Sequence, residues 1–429
     1  MGYHMAPNHQ TNHRIGVITT RMLGTDGVSL ETDKWVEVLQ RIGHTCFFFT
    51  SQSDKPAAYT HIVPQAHFRH PDVEKIYVAA FSEPKRSPDI SVLTHKVKDY
   101  LKDQITWFVN KFQVDMLLVE NALAIPLNIP LGLALTEFIA ETGLPTIAHH
   151  HDFFWERKRF LVNCVWDYLN MAFPPHLPYI QHVVINSSAA NQLSLRTGIS
   201  STLIPNVMNF ENPPQPPGEY TQGLRQDLGV EPDEFFFLQP TRVVQRKGIE
   251  HAIEFIHRLG VKARLVISHA TGDEDHTYED HLREFARLLA VPVNFVSDVI
   301  QLQRNRTIDG RKIYALWDVY PHADLITYPS DLEGFGNTFL EAVYFRRPIL
   351  VNNYSIYAVD IKPKGFRVIE FDGYITEDTL QHAHQILENP QLAKEMAEHN
   401  YRLGRRYYSY SVLGRRLQTL LADCFGEDA

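Results

Sequence analysis

The sequence predicts an α/β protein made of two doubly wound, Rossmann-like domains. Three observations carry that prediction. From Arg14 onward, short apolar runs rich in β-branched and aromatic residues alternate with longer stretches of helical period, the pattern of parallel βαβ units. The alternation breaks at a stretch with four prolines between Pro213 and Pro217, and then restarts. At roughly 100 to 200 residues per domain, a chain of 429 residues that is 44% apolar can bury separate cores without disulfide or metal staples.

RIGVITT (Arg14 to Thr20) reads as the first strand, followed by a glycine-bearing turn. In VSLETDKWVEVLQRIG, Val28, Trp35, Val36, Leu39 and Ile42 recur near helical spacing, and Gly43 marks the stop. HTCFFFT is the second strand; MLLVE (Met116 to Glu120), PTIAHH (Pro145 to His150) and HVVINS (His182 to Ser187) are further strands. Past the prolines come FFFLQP (Phe235 to Pro240), ARLVIS (Ala263 to Ser268), VNFVS (Val293 to Ser297), DLITYP (Asp324 to Pro329) and RPILVNN (Arg347 to Asn353). The expected organisation is therefore an excluded tail over 1–13, an N-terminal domain over 14–210, a linker over 211–220 and a second domain over 221–392. Residues 393–429 read as a terminal helix returning to the first domain. In doubly wound folds ligands lie beyond the carboxyl ends of the strands, here expected in a cleft between the domains.

Composition excludes several function classes. Forty-one basic against fifty acidic residues leave a net charge of −9, which disfavours nucleic acid. Cys46, Cys164 and Cys424 lie far apart without a CxxC pair, which fits a reducing cytoplasm better than a disulfide framework or a zinc site. The most apolar stretch, Leu123 to Leu135, holds two prolines and an Asn, short of the roughly 18 unbroken apolar residues a membrane span needs, so no stable membrane insertion is expected. The first residues, MGYHMAPNHQ, lack the apolar run of a signal peptide. A homo-oligomer stays compatible with the sequence.

SDLEGFGNTFLE (Ser330 to Glu341) carries the strongest chemistry. It follows a strand, sets Glu333 and Glu341 eight residues apart and places Gly334, Phe335 and Gly336 before a helix start at Asn337 and Thr338. Glycines let backbone approach a ligand closely, and the free N–H groups of a helix start receive a diphosphate or sugar hydroxyls. Glu341, two turns in, can accept ribose hydroxyls. This E-x7-E pattern with EGFG resembles the donor site of retaining glycosyltransferases of family 4, the GT-B group of glycogen synthase, sucrose-phosphate synthase and mannosyltransferases.

The resemblance extends to other residues. In PTRVVQRKGIE, Arg242 and Lys247 match the Arg and Lys that the family sets on the donor diphosphate, where cations stabilise the departing nucleotide. It implies that His151, at the end of TIAHHH, touches the donor sugar, with His149 and His150 as alternatives. In a strand His149 and His151 face one way and His150 the other, so the three do not converge as a metal ligand set. Gly24, Asp26 and Gly27 in LGTDGVSLE resemble the glycine-rich phosphate loop, and Asn121 and Asp152, with Glu120, are acceptor-side candidates. Arg157, Lys158 and Arg159 fit an anionic acceptor or a solvated face. Base recognition is expected in the loop near Asp298 and Val299. The acidic string Asp273, Glu274, Asp275 is read as a solvated loop, not a metal site.

These implications combine into a retaining hexosyltransferase, moving mannose or glucose from a GDP- or UDP-sugar to a small anionic or polyhydroxylated acceptor without a metal cofactor. The alternatives are a phosphorylase of the same fold and a peripheral membrane enzyme with a lipid acceptor.

Overall fold

The apolar runs become strands in a computed structural model that describes residues 12–23, 27–270, 277–301 and 303–426. The chain divides into two compact units, 1–205 with 411–429, and 206–410. The boundary therefore falls at Pro205/Asn206, ahead of the prolines. Residues 206–212 are fastened into the second unit, since the Met208 N–H donates to the Tyr408 carbonyl and the Tyr401 and Tyr344 hydroxyls donate to the Phe210 and Asn212 carbonyls.

In the first unit β1 (Arg14–Ile18), α1 (Gly27–Arg41), β2 (Thr45–Thr50) and β3 (Thr60–Ile62) are followed by α2 (Pro71–Ser82) and α3 (Pro88–Phe112). Then come β4 (Met116–Glu120), α4 (Ile129–Thr142), β5 (Thr146–His150), α5 (Trp166–Ala172), β6 (Ile180–Val184), α6 (Ser187–Thr197) and β7 (Thr202–Leu203). Among the described residues these strands form one parallel sheet in the order β3-β2-β1-β4-β5-β6-β7. Strand order reverses between β1 and β4, which puts the loops after these two strands side by side at the switch point. Both faces are covered, so the strands read as continuous apolar runs rather than alternating ones.

The second unit runs through α7 (Leu224–Asp227), β8 (Phe235–Gln239), α8 (Ile249–Leu259), β9 (Ala263–Ile267), α9 (Thr277–Leu288) and β10 (Val293–Phe295). The short strands β11 (Ile300–Gln301), β12 (Asn305–Arg306) and β13 (Lys312–Ala315) make a small separate sheet ordered β11-β13-β12. After α10 (Leu316–Val319) come β14 (Leu325–Tyr328), α11 (Asn337–Tyr344), β15 (Ile349–Asn352), β16 (Ile369–Phe371), α12 (Glu377–Glu388) and α13 (Pro390–Tyr408). The main sheet is parallel, in the order β10-β9-β8-β14-β15-β16, so its switch point lies between β8 and β14.

Two expectations about the chain ends need correction. The terminal helix is broken at Ser409: α13 buries Met396, Ala397 and Tyr401 in the second unit, and α14 (Tyr410–Phe425) lies in the first. Leu413, Leu417, Leu420 and Leu421 give α14 its buried stripe, and Gly414 faces Val38 and Ile42 of the α1 region. His13, assigned to the excluded tail, is buried; its N–H donates to His44 Nδ1 and its ring stacks on Phe425 at 3.9 Å. No helix among the described residues is long and apolar enough to cross a membrane.

Candidate active site

The switch point of the second sheet brings the two strongest motifs together. β8 delivers the 240–248 loop and β14 delivers 329–336. Gly248 has φ +56, and a Cβ there would meet the Pro329 carbonyl at 2.6 Å, so the two loops touch where only glycine fits. The contact is tied by the Asp331 N–H donating to the Arg246 carbonyl and by Arg246 Nη1 donating to the Leu332 carbonyl.

Glu333 is clamped between cations: Lys247 Nζ lies on Oε1 and Arg246 Nη1 on Oε2 at 3.3 Å. Both Glu333 and Lys247 have side chains only 10% exposed. Burial alone would raise the Glu333 carboxyl, but Lys247 and Arg246 beside it outweigh that and hold it below its ordinary value, while burial lowers Lys247 from its own. Lys247 also sits 5.5 Å above the Tyr328 ring. Arg242, expected with Lys247 on the donor diphosphate, is exposed, and Arg246, one residue before Lys247, is the second cation on Glu333. His269, just past β9, was not anticipated. Burial first, then Arg242 and Lys247, push its ring down to about 4, so it adds a neutral imidazole beside these two cations. The signal for it was available: a histidine at the carboxyl end of ARLVIS.

Beyond Glu333 the backbone turns through Gly336 at φ +128, where a Cβ would approach the Tyr354 hydroxyl to 2.5 Å. That hydroxyl donates to the Phe335 carbonyl, fixing the EGFG loop ahead of α11 and its Asn337 and Thr338. Glu341 is part-exposed on α11 and accepts the hydroxyl of the buried Tyr320. Val299 and Asp298 line an open cavity of about 410 Å³ with Arg283, Phe295 and Arg311; it lies at the β10 edge, and its lining includes neither Glu333 nor Lys247.

The first unit assembles a second cluster. Parallel register sets Glu120 beside His149 on adjacent strands β4 and β5. The Glu120 carboxylate, wholly buried, contacts His149 Nδ1 at 3.0 Å and His151 Nε2 at 3.4 Å. The three histidines do not converge as one set, as expected; what the sequence did not show is that Glu120 joins two of them. His150 points to the opposite face as expected and meets His182 at 2.9 Å, but His149 and His151 share one face and one carboxylate supplied by the neighbouring strand. Ligand atoms of Glu120, His149 and His151 lie within 4.8 Å of one another, the compactness of a metal site. His149 Nε2, the ring nitrogen away from Glu120, is buried without a hydrogen-bond partner among the described residues. Burial also removes Glu120 from direct acceptor contact.

Asn121 and Asp152 act as a bracket rather than as exposed ligands. Asn121 Oδ1 accepts the His151 N–H at 3.0 Å and its amide donates to Asp152 Oδ1 at 3.2 Å. Arg157 Nε donates to Asp152 Oδ2 at 2.7 Å, so this guanidinium is already paired. Arg157 to Arg159 lie on short 3₁₀ turns, and Arg159 covers the Phe160 ring at 4.7 Å. Gly27 opens α1; Gly24, Asp26 and the string Asp273 to Asp275 lie outside the described residues.

Residues 221–403 match the sequence family of glycosyl transferases group 1. A mannosylglucosylglycerate synthase of Thermotoga maritima is 29% identical, covering 90% of this chain and 95% of that protein. A glycosyltransferase from Rickettsia africae superposes with a TM-score of 0.67 at 14% identity, over 97% of this chain and 99% of its own. Anabaena HepE, solved in complex with UDP-glucose, superposes with a TM-score of 0.63 at 11% identity, over 96% and 99%. The two parallel sheets and these likenesses make the architecture GT-B.

Proposed function

We propose that the chain, whose fold is GT-B, is a glycosyltransferase, and more closely a cytoplasmic, retaining hexosyltransferase. It moves mannose or glucose from a GDP- or UDP-sugar to a small sugar acid. The observation that carries this reading is the Lys247–Glu333–Arg246 clamp beside the EGFG turn and the α11 start, at the switch point where doubly wound sheets bind nucleotides. Arg242 and Lys247 receive the diphosphate, together with N–H groups of Gly334 to Thr338. Glu333 holds Lys247 in place and accepts sugar hydroxyls, Glu341 accepts ribose hydroxyls, and Val299 lies on the base side. HepE, with its UDP-glucose, supports a nucleotide sugar as donor. The Thermotoga relative's name contains mannosyl, glucosyl and glycerate, which supports an acceptor carrying a carboxylate.

In the proposed reaction the bond from the anomeric carbon to the diphosphate oxygen breaks and the acceptor oxygen bonds to that carbon on the same face. The acceptor proton passes to a phosphate oxygen of the leaving diphosphate. No protein nucleophile is required. Arg242 and Lys247 stabilise the charge developing on the leaving group, the interaction that strengthens in the transition state, and they do so without a metal. His151 meets the sugar, and Arg157 and Arg159 offer remaining N–H groups to the acceptor carboxylate.

The test is incubation of the purified chain with GDP-mannose or UDP-glucose and glucosylglycerate, with anomeric configuration read by NMR. One donor should yield a product of retained configuration. Inverted product, or phosphate-dependent cleavage with no nucleotide turnover, would reject the reading.

A further inference from the structure

A wholly buried carboxylate at the end of an apolar strand has a cost that packing does not explain. The rest of β4, Met116 to Val119, is apolar, and an apolar side chain at position 120 would need no partner. Glu120 is held from one side by His149, whose Nδ1 contacts both carboxylate oxygens at 3.0 and 3.2 Å and whose ring is stacked on the buried Trp35 at 4.1 Å. On its other side Oε2 faces His151 Nε2 at 3.4 Å, and the His151 backbone is pinned by Asn121. Of the three acid–base groups, His151 alone has an accessible side chain, 10% against 0% for Glu120 and His149.

We propose that Glu120 is the positioning residue of the sugar-facing histidine: through its buried carboxylate it fixes the Nε2 edge of His151, so that the opposite edge donates a hydrogen bond to substrate. His149 and Trp35 hold the carboxylate in turn. The inference rests on His151 meeting substrate as described above. The surrounding charges agree with it. Burial alone would lower the His151 ring, but Glu120, Glu31 and Asp152 outweigh it and raise it above its ordinary value, the direction that favours the donor proton. Glu31, on α1, is itself paired with Lys34, and Asp152 with Arg157. A contact of 3.4 Å in the free enzyme is of the kind that tightens when substrate binds.

The test is a double-mutant cycle on full-length enzyme with Glu120→Gln, His151→Asn and the double variant, reading kcat, KM and nucleoside diphosphate binding. Glu120→Gln should lower kcat about 10- to 100-fold, the loss typical of an outer-shell partner, with nucleotide affinity unchanged. The double variant should be no slower than His151→Asn alone, because Glu120 acts through His151. In the wild type, side-chain ¹⁵N NMR should show the His151 ring losing its proton above pH 6.5, a measurement that needs no folded variant. Additive losses, an unchanged Glu120→Gln, a ring that titrates below 6.5, or a stoichiometric metal in purified protein that Glu120→Gln removes would each overturn the proposal. Full activity in His151→Asn would instead reject the sugar-contact reading beneath it.

Discussion

Glu333 and Glu341 both sit past β14 but in different electrostatic settings, so their substitutions separate. Glu333 neutralises two cations while only 10% exposed; Glu341 is part-exposed and holds a tyrosine hydroxyl. Glu333→Gln should lower kcat about 100-fold and move nucleotide affinity little. Glu341→Ala should weaken nucleoside diphosphate binding about tenfold or more, the value of one hydrogen bond to a charged group, as calorimetry would show. Equal binding by wild type and Glu341→Ala removes the ribose role. Glu120 makes a second residue-scale prediction, on stability. Burial would raise its carboxyl, but His149 and His151 bring it from the ordinary 4.5 down to about 2. Between those values the unfolded chain binds a proton that the folded chain does not, so the contribution is complete above about 4.5 and drains away as pH falls toward about 2. Urea midpoints of wild type should fall more steeply across that window than those of Glu120→Gln.

The elements do their work through turns that admit one residue type. At Gly336 an alanine would combine a φ of +128 with a Cβ 2.5 Å from the Tyr354 hydroxyl. Gly336→Ala should cost about 1–3 kcal/mol and displace that hydroxyl from the Phe335 carbonyl, weakening nucleotide binding as well as lowering the melting temperature. Gly310→Ala is the control: φ is +87 but nothing lies within 4 Å of the new Cβ, so only the backbone strain appears and binding stays intact. Equal nucleotide affinity in wild type and Gly336→Ala would show that the EGFG turn does not shape the donor site. The Gly-Phe-Gly turn was legible as a tight approach. Its partner was not, because Tyr354 lies 18 residues on, past β15, and only packing of β14 against β15 puts it there.

At the scale of the molecule, Arg242, Lys247, Val299, Gly334 to Thr338 and Glu341, proposed to receive the nucleotide, lie in the 206–410 unit, and the His151 cluster lies in the other. Saturating GDP or UDP at 100 times its dissociation constant should add about 2.7 kcal/mol to the second unit's unfolding transition and leave that of the first unmoved. The shift should persist in EDTA, since Arg242, Arg246 and Lys247 supply the positive charge. Loss of binding in EDTA and rescue by Mn²⁺ would reverse the metal-free reading.

Local pattern determined a good deal. Runs such as Met116 to Glu120 and Phe235 to Gln239 are strands because buried parallel strands are continuous apolar segments, and SDLEGFGNTFLE is a turn entering a helix because its glycines and spacing permit little else. Alternation along β5 likewise put His149 and His151 on one face and His150 on the other. What no local pattern contains is register between strands distant in sequence. Glu120 meets His149 across 29 residues because β4 and β5 pair at that offset, and Arg246 and Lys247 meet Glu333 because the 240–248 loop docks on the end of β14. The return of α14 to the first unit has the same origin: its leucine stripe marks a helix with one buried face, and only the tertiary structure decides what that face is buried against.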